Sequence, residues 1–157
     1  MTSLTNEYFV FGKVTGNFDC NYAENIESLK GAPKEVGGIF DCVRCHNITS
    51  LKGAPKEIGG PTNVNQVTLS LDCSWCTSLK SLEGCTPNLK AMSIEGCKSL
   101  TSLQGAPKVS QFFNAKYCGF TESDVTKEIG YCKRILVNES LYSDSFFYIL
   151  SIQCIEL

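Results

Sequence analysis

At 157 residues, 43% hydrophobic and 19% charged, the chain has the size and composition of one globular domain, 1–157, and wholesale disorder is excluded. A formal charge of −2 with no Lys/Arg run excludes the basic face of a nucleic-acid binder, so no nucleic acid is expected as partner. No window approaches the ~20 apolar residues of a membrane span, and the nearest, Phe146–Leu150, is interrupted by Ser151 and Gln153, so no membrane partner is expected either.

Met1 to Lys13 lack the basic start and apolar stretch of a signal peptide. Ten cysteines without an export signal point to reduced thiols in a cytoplasm. The string Ser-Leu-Lys-Gly-Ala-Pro-Lys-Glu-(Val/Ile)-Gly-Gly then occurs at Ser28–Gly38 and again at Ser50–Gly60, an offset of 50 − 28 = 22 residues. A repeat of that length is one coil of a solenoid.

Five coils align on it. An apolar-X-Cys step appears at Phe18-Asp19-Cys20, Phe40-Asp41-Cys42 and Leu71-Asp72-Cys73, and degenerates to Met92-Ser93-Ile94 and Phe113-Asn114-Ala115. The apolar pairs Ile26/Leu29, Ile48/Leu51, Leu79/Leu82 and Leu100/Leu103 follow, each with Gly after one residue. The alternating step predicts a short strand whose outer side chains turn inward. Pro33, Pro55 and Pro107 lack an N–H and belong outside the ladder. Coil three, at 73 − 42 = 31 residues, is nine longer than coil two, which predicts an excursion within Pro61–Val67.

Coil four reads Leu89-x-x-Met92-x-Ile94-x-x-Cys97-x-x-Leu100-x-x-Leu103. This resembles the leucine-rich repeat in its cysteine-bearing form. The Leu-x-Gly-Ala-Pro-Lys wording is similar to the short repeat proteins of bacteria and phages. The resemblance covers Val14 to Val125. It implies an α/β repeat solenoid with a parallel sheet of about five coils, over residues 14–121, and a binding scaffold as its use.

After Glu122 the repeat stops. Ser123-Asp124 ahead of Val125 predicts a helix start, with Ile129, Cys132 and Leu136 on one side. Residues 122–157 are expected to form a C-terminal cap over the open end, with helix from Ser123 and with Ser140–Leu157 apolar enough for helix or strand; a protein-docking tail is the alternative.

Cys42-x-x-Cys45 and Cys73-x-x-Cys76, with His46 alongside, carry a zinc spacing. Register argues against it. Cys20, Cys42 and Cys73 share one column with Ile94, while Cys45, Cys76, Cys97 and Cys118 share another with Ala23. Small buried side chains exchange in that way and metal ligands do not, so neither metal nor cofactor is expected.

The outward positions are the candidate site. Asp19, Asp41 and Asp72, continued by Ser93 and Asn114, form one column. Tyr22, Arg44, Trp75, Gly96 and Tyr117 form another, which collects the residue types of protein-binding hot spots over roughly 20 Å at ~4.8 Å per coil. Stacked aspartates repel and favour a cationic partner. The expectation is a non-enzymatic module gripping another protein with a basic contact surface, on the concave strand face. Its more specific form is a phage- or bacterium-encoded factor that binds and inhibits a host or defence protein, acting in the host cytoplasm. Self-assembly through the apolar C-terminal segment is the alternative. Catalysis is disfavoured by a single histidine and the lack of a phosphate-cradling Gly motif or H-E-x-x-H.

Overall fold

The computed structural model describes residues 12–59 and 69–138. The chain winds as a parallel β-solenoid of about five turns. Strands β2 (Phe18–Asp19), β4 (Phe40–Asp41), β6 (Leu71–Asp72), β7 (Asn88–Ser93), β8 (Lys108–Asn114) and β9 (Arg134–Leu136) form one six-stranded sheet in that order. On the return side, β1 (Lys13–Val14), β3 (Glu35–Val36) and β5 (Glu57–Ile58) form a three-stranded sheet. All pairings are parallel, as a coil that always returns in the same sense requires.

The register is the one the repeat dictates. Phe18 pairs with Phe40, Phe40 with Leu71, Leu71 with Met92, and Met92 with Phe113. Phe40, Leu71, Met92 and Phe113 are wholly buried, and Phe18 stacks on Phe40 with ring centroids 5.4 Å apart. Ile48, Leu51, Leu79 and Leu82 fill the opposite side of the interior and are equally buried. Each such side chain stabilises the fold by roughly 1.5–3 kcal/mol.

Three features differ from expectation. First, the coils carry no helix among the described residues, so the class is β-solenoid and not an α/β repeat. The return stretch explains this: Gly31, Gly53 and Gly105 hold φ of +89°, +92° and +84°, and a proline stands two residues beyond each. A helix tolerates neither.

Second, the one helix of the described residues, α1 (Glu122–Ile129), is short. Thr121 caps it, its hydroxyl accepting from the Asp124 amide while the Asp124 carboxylate accepts from the Thr121 amide. Val125 and Ile129 are buried, but Gly130, at φ +75°, ends the helix, so Cys132 and Leu136 do not share its face.

Third, the chain then returns to the sheet as β9, whose Ile135 pairs with Phe113. The offset, 135 − 113 = 22, is the coil period again, so the solenoid runs one strand further than the cysteine columns suggest. The excursion of coil three and Ser140–Leu157 lie outside the described residues. Across coil three the ladder keeps its register: Leu71 and Asp72 pair with Phe40 and Asp41, and Ser50 bridges to Ser81.

Candidate functional site

The first four coils each turn at two corners that share one backbone design. At the first, the amide of Ala23 donates to the carbonyl of Cys20, Cys45 to Cys42, Cys76 to Cys73 and Cys97 to Ile94, at 3.1–3.3 Å. At the second, Ala32 donates to Leu29, Ala54 to Leu51, Cys85 to Leu82 and Ala106 to Leu103, at 2.9–3.1 Å. Both turns need a left-handed residue in third place.

The second corner meets that need with Gly31, Gly53, Gly84 and Gly105. A Cβ on Gly53 would lie 2.6 Å from the carbonyl carbon of Leu29, and one on Gly84 would lie 2.7 Å from the Cα of Lys52. Backbone cannot yield there, so glycine is obligatory.

The first corner meets the same need with Tyr22 (φ +57°), Arg44 (+58°), Trp75 (+63°), Gly96 (+72°) and Tyr117 (+60°). Each non-glycine residue there costs about 1–2 kcal/mol in steric strain. The structure therefore brings together all four residues singled out from the sequence, but at the corner that ends the strands and not on the strand face. Backbone bonds lock their spacing: Tyr22 donates to Val43 at 2.9 Å, Arg44 to Ser74 at 2.9 Å, Trp75 to Glu95 at 2.6 Å and Gly96 to Lys116 at 2.9 Å.

The column divides into two clasped pairs. Arg44 lies over the Tyr22 ring, 5.4 Å from its centroid, and donates from Nη1 to the Tyr22 hydroxyl at 3.1 Å. Trp75 leans the other way, over Gly96, to meet Tyr117 with ring centroids 6.0 Å apart. A Cβ on Gly96 would stand 2.6 Å from Cε3 of the indole, so the gap in the column is the seat of the tryptophan. Tyr22 and Tyr117 remain 59% and 52% exposed, large for aromatic side chains with no packing role in the core.

The aspartates have a structural task as well. Oδ1 of Asp19 accepts from the Asn21 amide at 2.9 Å, that of Asp41 from Val43 at 3.2 Å, and that of Asp72 from Ser74 at 2.9 Å, each closing the turn toward the aromatic position. Asn114 repeats the bond to Lys116. Exposure falls along the column, from exposed Asp19 through half-buried Asp41 and Asp72 to Ser93 and Asn114, which are 2% and 8% exposed rather than outward-facing. Those two are drawn into a polar network in which the Ser74 and Ser93 hydroxyls meet at 2.7 Å and Asn114 donates to Glu95 at 2.7 Å. Burial raises the Asp72 carboxyl above its ordinary range, against the bonds from Ser74, and the charges of Asp41 and Glu95 add to the rise.

Under the same corner the cysteines form a hydrogen-bonded ladder. Cys45 Sγ donates to the carbonyl of Cys20, Cys76 to Cys42, Cys97 to Cys73 and Cys118 to Ile94, at 2.9–3.2 Å, each thiol stitching its coil to the preceding one. The other column reaches forward: Cys20 donates to Asp41 and Cys42 to Asp72. Burial pushes the Cys97, Cys118 and Cys132 thiols up, and that of Cys85 to about 12, which keeps them protonated. Of the four cysteines with the zinc spacing, Cys42, Cys45 and Cys76 donate to carbonyls and Cys73 accepts from the Cys42 thiol at 3.5 Å, and no group of three side chains that could hold a metal is gathered among the described residues. His46 faces Thr77 Oγ1 at 3.2 Å.

No protein family, curated protein or solved structure matches the chain. Among the described residues, no helix is long and apolar enough to cross a membrane. What the sequence concealed at the site is the left-handed backbone of the aromatic column. Its one signal was Gly96, standing in a column otherwise filled by large side chains.

Proposed function

We propose that the protein is a non-enzymatic protein-binding module, a leucine-rich-repeat-like solenoid that offers Tyr22, Arg44, Trp75 and Tyr117 to another protein, flanked by Asp19, Asp41 and Asp72. The supporting observation is the contrast between two identical turns. Where the fold alone decides, the left-handed position is glycine; at the other corner four bulky, hot-spot-type side chains are held there at a cost in stability. Strain retained at a surface position is accounted for by use of that surface. The narrower form, a factor that binds and inhibits a host or defence protein, rests on the Leu-x-Gly-Ala-Pro-Lys wording alone, which resembles the short repeats of bacterial and phage proteins.

Immobilised protein and a Tyr22→Gly/Trp75→Gly/Tyr117→Gly variant, glycine being compatible with the turn, are compared in capture from the lysate of the source organism or its host. A partner retained by the first and lost by the second, with the variant melting no lower than the parent, is the expected result. Trp75→Gly alone should weaken the complex by about 2 kcal/mol. A partner held equally by both, and lost on Lys34→Glu/Lys56→Glu on the return side, would move the interface to the opposite face.

A further inference from the structure

We propose that the Trp75–Tyr117 half of the corner column is the seat of an arginine side chain of the partner protein. This rests on the column being the binding surface and adds what that surface recognises. The column contains its own precedent, since Arg44 lies over Tyr22 with its guanidinium 5.4 Å from the ring centre. The second pair has the same ingredients without the cation. Among the described residues no Lys or Arg lies over the Trp75 or Tyr117 ring; the other cation–ring contact is Arg134 on Phe112, and Lys116, beside Tyr117, covers neither ring of the pair.

Two acids, Glu95 and Asp72, stand near the pair in the chain, with Lys98 and Lys116 as the neighbouring cations. Glu95 immediately precedes the glycine on which the indole rests, and Asp72 lies three residues before Trp75. Asp72 is bound through Oδ1 alone, to the amide and hydroxyl of Ser74, so its Oδ2 has no hydrogen bond among the described residues. Neither carboxylate forms an ion pair among the described residues, where the pairs are Lys13–Glu35 and Lys52–Glu83. Two aromatic rings, 6.0 Å apart, on coils that also carry Asp72 and Glu95 without ion pairs, suit a guanidinium, which stacks by its plane and forks to carboxylates by its edge. An ammonium can satisfy only one of these demands at a time, and an anion neither.

Trp75 is the chain's one tryptophan, so its fluorescence reads the seat directly. The full chain is titrated with short arginine–glycine, lysine–glycine and glutamate–glycine repeat peptides. A saturable emission change is expected with the arginine peptide, at about fivefold lower concentration than with the lysine peptide, and none with the glutamate peptide. Glu95→Gln, Asp72→Asn and Tyr117→Gly should each raise the half-saturating concentration about fivefold or more, and salt should raise it too. No saturable change, equal responses to the arginine and glutamate peptides, or variants that titrate like the parent would overturn the proposal. If these fail while Trp75→Gly still abolishes partner capture, the arginine seat falls and the binding surface stands. If Trp75→Gly captures the partner normally, the surface falls with it.

Discussion

The two corners of each coil are an experiment on one backbone. Both are closed by the same hydrogen bond across a residue with positive φ, yet one is glycine in coil after coil and the other is Tyr, Arg, Trp, Gly and Tyr. The glycine corner lies against the preceding coil, where a Cβ would strike main chain; the aromatic corner opens to solvent. Sterics thus fix the first and only tax the second. What stands at the second is free to serve something other than the fold.

The buried thiols give the largest effect. In the unfolded chain they ionise near pH ~8.5, whereas folded Cys97, Cys118 and Cys132 are raised and Cys85 is held to about 12. A raised acid contributes its full stability below the unfolded pKa and loses it as pH climbs through the folded one. Melting temperature should therefore be level from pH 6 to 8 and fall steeply from about pH 9 upward. A level profile to pH 11 would mean that these thiols are not buried as described.

Next, Gly53→Ala combines positive φ with a backbone collision and should lower stability by about 3 kcal/mol or more in urea unfolding. An alanine tolerated there would erase the distinction between the corners. Gly96→Ala stands between the two: its obstacle is the Trp75 ring, which can swing aside. A loss of about 2 kcal/mol is expected, with a red-shifted tryptophan emission as the ring leaves its seat. Smallest, Tyr22→Gly should be more stable than Tyr22→Ala by about 0.5–1 kcal/mol. Both remove the contact with Arg44, and only glycine relieves the backbone.

The strand columns were legible in the sequence because a repeat of about 22 residues carries side-chain direction with it; Phe18, Phe40, Leu71, Met92 and Phe113 pair as that repeat demands, across offsets of 22, 31, 21 and 21 residues. Ile135 obeys the same offset but lacks the neighbouring cysteines, so composition masked what spacing contains. The cysteine ladder was visible through its exchange with Ile94 and Ala23. The helix expected of the coils was not there because resemblance, and not the Gly-and-Pro-bearing return stretch, suggested it. At the site the residues were found and their conformation was not, since a tyrosine or tryptophan carries no local mark of positive φ. The aspartates were visible as charges, but their hydrogen bonds to the amide two residues on gave no signal beyond Asp preceding a turn.

The nine additional residues of coil three have a kinetic meaning. Each coil docks on the one before it by closing a loop of about 22 residues, and the closure entropy grows only with the logarithm of loop length. Lengthening one closure from 22 to 31 costs about 0.3 kcal/mol, far less than a single misplaced side chain in the interior. Assembly can begin at any adjacent pair and spread in both directions, as in other one-dimensional stacks, without waiting for the long coil. The longer closure between Gly59 and β6 is thus where sequence can be added or removed with least effect on folding rate, while the aromatic corner keeps its spacing.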